Sequence, residues 1–332
     1  TLEHKPSWKE IQERVDEIVA AISTLVPNVR GVHLTSSKGY VHPEDIERIE
    51  QAFITSLAKK IADLASANGG ARLASNVAQP TWPSHEPEKI AVIGGTGYVG
   101  SIKAIMLALD WGHDVNAIDV VKQKVETLSS GQLINTSPGL EPLLKDALAT
   151  GRLQFNYVPS DKTQAGEASK ELANAINGRD IIFLALPTPP RKDTGAADTS
   201  YLEGAVRKLA RLVKPGETKI LVGKSTAPPA TIEILKKIAA ENLQPGAQIQ
   251  FAWEPEFLRE GKEVDDDRGE AGRIVIGADD PKVAERIAAL YSDPNPASPR
   301  KKVPILTMDI TSAMLIKYAA NGFRGMKISF SN

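Results

Sequence analysis

Three glycines and one aspartate carry the clearest chemistry in the sequence. Gly95-x-Gly97-x-x-Gly100 follows the apolar run Ile90–Ile93 and precedes Ile102, Ile105, Met106 and Leu109 at helical spacing. The β-branched run reads as a buried parallel strand, and Gly112 reads as the stop of the helix. Gly95 is expected to make the tight turn, Gly97 to let the backbone approach a pyrophosphate, and Gly100 to let helix and strand pack closely. The start of the helix then offers unpaired N–H groups and a positive dipole end to phosphate. Asp119 closes the next apolar run, 24 residues after Gly95. A carboxylate there can bind both ribose hydroxyls and repel a 2′-phosphate. The strand, loop, helix and acid together specify an NAD site.

The elements that must position these residues alternate along the chain. Strands are expected at Val115–Ile118, Leu153–Val158, Asp180–Leu186, Lys219–Val222, Ile249–Trp253 and Arg273–Ile276, with helices at Val121–Leu128, Ala168–Ile176, Tyr201–Val213 and Ile232–Glu241. Such alternation predicts an α/β fold, a doubly wound (Rossmann-like) and mostly parallel sheet whose ligands bind at the carboxyl ends of its strands. Three strand ends stand out. Pro187-Thr188-Pro189 turns the chain and offers a hydroxyl near the dinucleotide. Lys224-Ser225-Thr226 gathers an ammonium and two hydroxyls, and Glu256 and Glu260 stand four apart, a spacing that can share a helical face. Taken singly, these are also a turn, a helix cap and a solvated face. The Asp265-Asp266-Asp267 run reads as solvated loop.

The 332 residues are enough for about two domains. Forty basic residues against forty-one acidic give a formal charge of −1, which removes any whole-chain argument for nucleic acid or an anionic membrane. No apolar run approaches the roughly 18 residues of a membrane span. The polar start lacks an apolar core and a cleavage site, so no signal peptide is expected and a cytoplasmic location is; with Thr1 first, the natural start is expected upstream. The sequence contains no cysteine, which excludes disulfides, thiolate metal sites and a thiol nucleophile within it. Its five histidines are scattered, and no metal site is expected.

Residues 1–86 read as a helical extension. Ile11, Val15, Ile18, Val19 and Ile22 make one stripe, and Ile46, Ile49, Phe53, Leu57, Ile61 and Leu64 a second, before a linker containing Pro80, Pro83 and Pro87.

From Lys89 to Asn332 the sequence resembles the UDP-glucose/GDP-mannose dehydrogenase family, most closely its UDP-glucose 6-dehydrogenase members. The stretches IAVIGGTGYVG, LPTP, KSTAPP, PEFLREG, RIVIG and IKYAANGFRGMKISFSN occur in the family's order. The resemblance implies oxidation of a nucleotide-sugar C6 alcohol to a carboxylate with two NAD⁺, UDP-glucose being the expected substrate. UDP-N-acetylmannosamine, GDP-mannose and dTDP-sugar dehydrogenases are the alternatives within the family, and a non-catalytic NAD-binding regulatory protein is the alternative outside catalysis. It assigns Gly95, Gly97, Tyr98, Val99 and Gly100 to the dinucleotide loop and Asp119 to the adenosine ribose. Lys124, Pro187, Thr188 and Thr226 are counted with the cofactor-binding set, and Thr226 also with the catalytic residues. Glu256 and Glu260 match the glutamates of PEFL, the first implicated in handling water or in thioester hydrolysis. Lys317 and Asn321 match the lysine and asparagine of the central helix. Their i, i+4 spacing puts both on one helical face, where a lysine in a dry site can exchange a proton with an alcohol and an amide N–H can meet oxyanion character.

The expected division is an extension and linker at 1–86, an NAD-binding domain at 87–307, and the start of a central dimerisation helix at 308–332. That helix implies a homodimer and an exposed apolar face including Leu315, Ile316 and Phe323. Some positions depart from the family pattern: Ala227, Pro229 and Ala230 in the KST segment, Glu254 for the asparagine before PEFL, Met314 for a glutamate, Ser137 for the glutamate before PGL, and Arg324 for a leucine. The family's catalytic cysteine, which captures the aldehyde for the second oxidation, lies well downstream of the central helix. These 332 residues are therefore expected to bind NAD but not to complete the four-electron oxidation alone.

Overall fold

The computed structural model describes residues 86–134, 137–160, 169–266, 273–291 and 304–331. The two stripes expected in the N-terminal extension, the prolines at 80 and 83, and Asp267 lie outside the described residues.

Eight strands form one sheet: β1 (Lys89–Ile93), β2 (Asp114–Asp119), β3 (Leu153–Tyr157), β4 (Ile181–Leu184), β5 (Thr218–Gly223), β6 (Gln248–Trp253), β7 (Ile274–Ala278) and β8 (Ile305–Met308). Their order is β3-β2-β1-β4-β5-β6-β7-β8. All neighbours run parallel except β6 and β7. The strand order reverses between β1 and β4, the crevice in which doubly wound sheets bind dinucleotides. The central strands are buried on both faces, and Ile90, Val92, Ile181 and Phe183 are fully enclosed. That burial explains why β1 and β4 read as continuous apolar runs instead of alternating ones.

The crossover helices are α1 (Tyr98–Leu109), α2 (Lys122–Ser129), α3 (Leu140–Ala149), a short helical stretch at 169–175, α4 (Ser200–Leu212), α5 (Thr231–Asn242) and α6 (Pro281–Ala289). One apolar core joins α1, α3 and α6 to one face of the sheet, and a second joins α4, α5 and the first turns of α7 (Ile310–Ser331) to the other. Leu202, Val206 and Leu209 form the buried stripe of α4, each burial contributing about 1.5–3 kcal/mol. Asp280 caps α6 by accepting the Lys282 N–H, with Pro281 at its first position.

The chain divides into two compact units. The sheet and its helices, through Leu315, belong to one, and α7 from Ile316 onward belongs to the other. Within α7, Ile316 is buried and Leu315 and Phe323 are half-buried. The apolar face expected there is therefore only partly exposed, and among the described residues of the helix Tyr318 is an exposed large side chain.

Candidate functional site

The left-handed residue of the dinucleotide loop is Gly94, with φ 78°, and not Gly95. A side chain at Gly94 would place its Cβ 2.3 Å from the Ala185 carbonyl oxygen, so only glycine lets the chain turn out of β1 against the end of β4. Gly95 lies against β2, where a Cβ would meet that of Ala117 at 2.7 Å. Both glycine N–H groups donate to the Ile118 carbonyl at 3.0 Å, which fastens the loop to β2. At Gly100 a Cβ would fall 2.2 Å from the Gly94 oxygen, the close packing of helix against loop that the motif serves.

Gly97 precedes α1 in extended conformation and supplies no side-chain cap, and the first turn carries no acidic residue. The starting N–H groups at Tyr98, Val99 and Gly100 are thus presented to an anion instead of being consumed by the protein. The Thr96 hydroxyl is buried without a partner. It lines a recess with Ser101 and Ser137. An uncapped helix start, a cradle that any Cβ would fill and an orphaned hydroxyl fit a bound dinucleotide.

Asp119 ends β2 with Oδ2 accepting the Thr96 N–H and Oδ1 accepting the Val121 N–H, both at 3.1 Å. Each oxygen keeps a lone pair for a ribose hydroxyl. Lys124 is exposed on the first turn of α2. Val120, Val121 and Tyr157 are exposed around Asp119, and Tyr157 stands opposite it on β3. This apolar lip offers a surface for the adenine base. Sequence reading missed it, although an aromatic residue one strand from the ribose acid was a usable signal.

The ends of β4 and β5 are stitched together. The Ser225 hydroxyl accepts the Leu186 N–H at 3.0 Å and donates to the Leu186 carbonyl at 2.6 Å. The Thr188 hydroxyl donates to the Thr226 carbonyl at 2.7 Å. Thr188 and Thr226 are therefore brought together, with Pro187 exposed beside them. The Thr188 proton is engaged, and its oxygen remains an acceptor.

Glu256 and Glu260 do not share a helical face, because residues 254–259 are irregular and Glu260 lies in an exposed turn. Glu256 accepts the Leu258 N–H at 2.8 Å, a local bond that competes with helix formation. Gly261 N–H and the Tyr98 hydroxyl both donate to Glu263 Oε1, the latter at 2.5 Å. Burial, the bond to Glu263 and the charges of Glu263, Glu260 and Glu256 push the Tyr98 pKa up, so Tyr98 remains a neutral donor. Asp266 is no solvated residue. Its fully enclosed carboxylate takes the Arg259 N–H at 2.6 Å and the guanidinium at 2.7 Å.

Glu254, the departure before PEFL, is also buried. Its Oε1 lies 2.6 Å from Lys224 Nζ and 3.4 Å from Lys103 Nζ, and its Oε2 accepts the Tyr291 hydroxyl. No local pattern announced this cluster, whose members come from four separate elements. Burial alone would raise the Glu254 pKa, but the Lys103 and Lys224 charges and the Lys224 and Tyr291 bonds outweigh it and hold it below the usual carboxylate range.

Lys317 and Asn321 stand one turn apart on α7, in the other compact unit, Lys317 buried and Asn321 exposed. No helix among the described residues is long and apolar enough to cross a membrane.

Residues 88–294 match the NAD-binding domain of the UDP-glucose/GDP-mannose dehydrogenase family. A UDP-glucose 6-dehydrogenase of Rhizobium meliloti is 36% identical over 246 residues, 74% of this chain and 51% of that protein. The Bacillus subtilis UDP-glucose 6-dehydrogenase YwqF is 37% identical over 243 residues, 73% of this chain and 49% of its own length. Among solved structures, a UDP-glucose dehydrogenase from Pyrobaculum islandicum superposes with a TM-score of 0.62 at 37% identity, covering 75% of this chain and 52% of that one. The chain thus spans about half the length of the curated relatives it matches. With glycine loop, ribose acid and strand ends assembled over a matched stretch longer than half its length, the chain belongs to the UDP-glucose/GDP-mannose dehydrogenase family and carries its NAD-binding domain.

Proposed function

We propose that the protein containing this chain is an NAD-dependent nucleotide-sugar 6-dehydrogenase that converts UDP-glucose to UDP-glucuronate. The observation that carries the reading is the gathering of Thr188, Thr226 and Glu256, which follow β4, β5 and β6, along the same sheet edge as the dinucleotide loop. NAD, when bound there, supplies the hydride acceptor. The overall change takes one alcohol, one water and two NAD⁺ to one carboxylate, two NADH and three protons.

In this reading the α1 start holds the diphosphate and Asp119 the adenosine ribose. Thr188 and Thr226 bound the nicotinamide end. Lys317 takes the alcohol proton and Asn321 donates to the developing oxyanion. Glu256 and Thr226 orient water for the second stage, with Glu260 beside them. That stage also needs a covalent carbonyl trap of the kind a thiol provides, and these 332 residues contain no cysteine. The α7 helix is proposed as a dimerisation element.

The test is NADH formation by the full-length protein with UDP-glucose, GDP-mannose, UDP-N-acetylmannosamine and a dTDP-sugar. Two NADH per UDP-glucose, with the other sugars slower, is the expected result. Preference for another sugar moves the substrate within the family. NAD⁺ binding without NADH from any sugar favours a regulatory NAD-binding role, the reading that the altered Ala227, Pro229 and Ala230 positions support.

A further inference from the structure

We propose that Glu254, held by Lys103, Lys224 and Tyr291, is a positioning residue that sets the nicotinamide end of the site relative to the diphosphate end. The inference rests on the dehydrogenase reading for its kinetic consequence, but not for its structural one.

All four side chains are at least nine-tenths enclosed: Glu254 and Lys103 are 3% exposed, Lys224 4% and Tyr291 7%. The Lys103 ammonium also sits 4.8 Å from the centre of the Tyr291 ring, and that ring meets Trp111 edge-on. Taking such charges out of water costs about as much as their attraction returns, and apolar side chains of similar volume often do as well or better. Stability alone therefore does not account for an ionic cluster at this place.

Its location does. Lys224 is the first residue beyond β5, one before Ser225 and two before Thr226, and Glu254 is the first beyond β6, two before Glu256. The Lys224 N–H continues the ladder to Leu184, and the Glu254 N–H bonds the Gly223 carbonyl at 2.8 Å. One carboxylate thus fixes the two segments that carry Thr226 and Glu256 where they leave the sheet. Lys103 is the sixth residue of α1, the helix whose start is open to an anion. Through it, the same carboxylate ties that helix to both segments. A neutral amide, which the family resemblance leads one to expect before PEFL, would bring no negative charge to two buried ammonium groups. The carboxylate at position 254 thus answers both buried ammonium groups, and the departure at Glu254 is not a lost function.

The experiment compares full-length wild type, Glu254→Gln and the double variant Lys103→Met/Glu254→Gln. Three quantities are read: melting temperature, the dissociation constant for NADH, and the fluorescence of bound NADH, which reports the surroundings of the nicotinamide ring. Asp119 and the α1 start are untouched, so NADH affinity should stay within about threefold of wild type in both variants. The fluorescence enhancement of bound NADH should fall at least about twofold in both, and kcat about tenfold with the KM for NAD⁺ nearly unchanged. The double variant, in which Lys224 still lacks its carboxylate, should recover only part of the melting temperature and none of the fluorescence. Recovery of fluorescence together with melting temperature would show that the cluster only holds the fold, and unchanged fluorescence in Glu254→Gln would overturn the proposal outright. If Glu254→Gln does not fold, Lys103→Met and Tyr291→Phe, which keep the Lys224–Glu254 pair, are read against the same criteria. A wild type that binds NADH but oxidises no nucleotide sugar defeats the dehydrogenase reading alone, and the fluorescence comparison still decides this one.

Discussion

The two edges of the sheet handle their polar groups in opposite ways. At the amino edge, partners are found within the protein. Arg179 donates to the carbonyls of Ile90 and Asp114 and to the Asp114 carboxylate. His113, fully buried, accepts the Glu88 N–H at Nδ1, and its Nε2 lies 2.9 Å from the Leu290 carbonyl, which fixes the Nε2–H tautomer. Arg286 pairs with Glu88, and Lys219 with Asp180. At the carboxyl edge, α1 begins uncapped, Thr96 keeps an orphaned hydroxyl, and Asp119 is oriented by two backbone groups without being saturated. A finished edge serves the fold and an unfinished one serves a ligand. Glu254 is a charged exception at the open edge, partnered by two ammonium groups and a hydroxyl.

That exception gives the largest expected effect. Glu254→Gln should cost about 3–5 kcal/mol of stability at neutral pH, because both ammonium groups lose their carboxylate. The sign with pH follows from a folded-state pKa held below the ordinary carboxylate value of 4.5. The contribution is complete above that ordinary value and is lost as pH falls through the lower folded one. Urea unfolding of wild type and variant, from neutral pH down to about pH 3, should show the gap closing with acid. A gap independent of pH would remove Glu254 from the electrostatics of the edge.

Gly100→Ala comes next. The added Cβ meets backbone at 2.2 Å, so the loop must shift, and NAD⁺ affinity measured by calorimetry should fall by about a hundredfold or more. Asp119→Asn should weaken NAD⁺ by about thirtyfold and narrow the discrimination against NADP⁺, as charge-assisted ribose bonds are lost. The amino edge should respond in the other currency. Arg179→Ala removes three bonds and should lower stability by about 2 kcal/mol while leaving the NAD⁺ dissociation constant within about twofold. A comparable loss of affinity in Arg179→Ala would abolish the distinction between the edges.

Much of this architecture was legible because β1, β2, β4, β5 and β7 are short apolar runs buried on both faces, a pattern with few competing explanations. β8 escaped because ILTM is four residues long and only Met308 is fully buried. α3 escaped because it starts after a left-handed Gly139 with no side-chain cap. α6 was overlooked despite the standard Asp-Pro start at Asp280. The site divided in the same way. The placing of Gly97, Gly100 and Asp119 about the loop was readable from spacing, whereas the turn expected at Gly95 is made by Gly94. Glu256 and Glu260, whose spacing could share a helical face, do not do so, because Glu256 satisfies the backbone locally. The Glu254 cluster was invisible because its partners stand 30 to 151 residues away in sequence and no period links them.

The pairing of β1 with β4 has a consequence for how the molecule is made. Ile90 faces Ile181 and Ile93 faces Leu184, so the crevice exists only after roughly ninety residues of intervening chain have been closed into a loop. Parallel pairings of that span are slow to form and come late in folding. Gly94 turns against Ala185, so the cradle cannot exist before that closure. A cofactor recognised only by the closed crevice has nothing to grip on the way up. It should leave the refolding rate unchanged and slow unfolding instead, acting as a brake on escape from the native state and not as a template for reaching it.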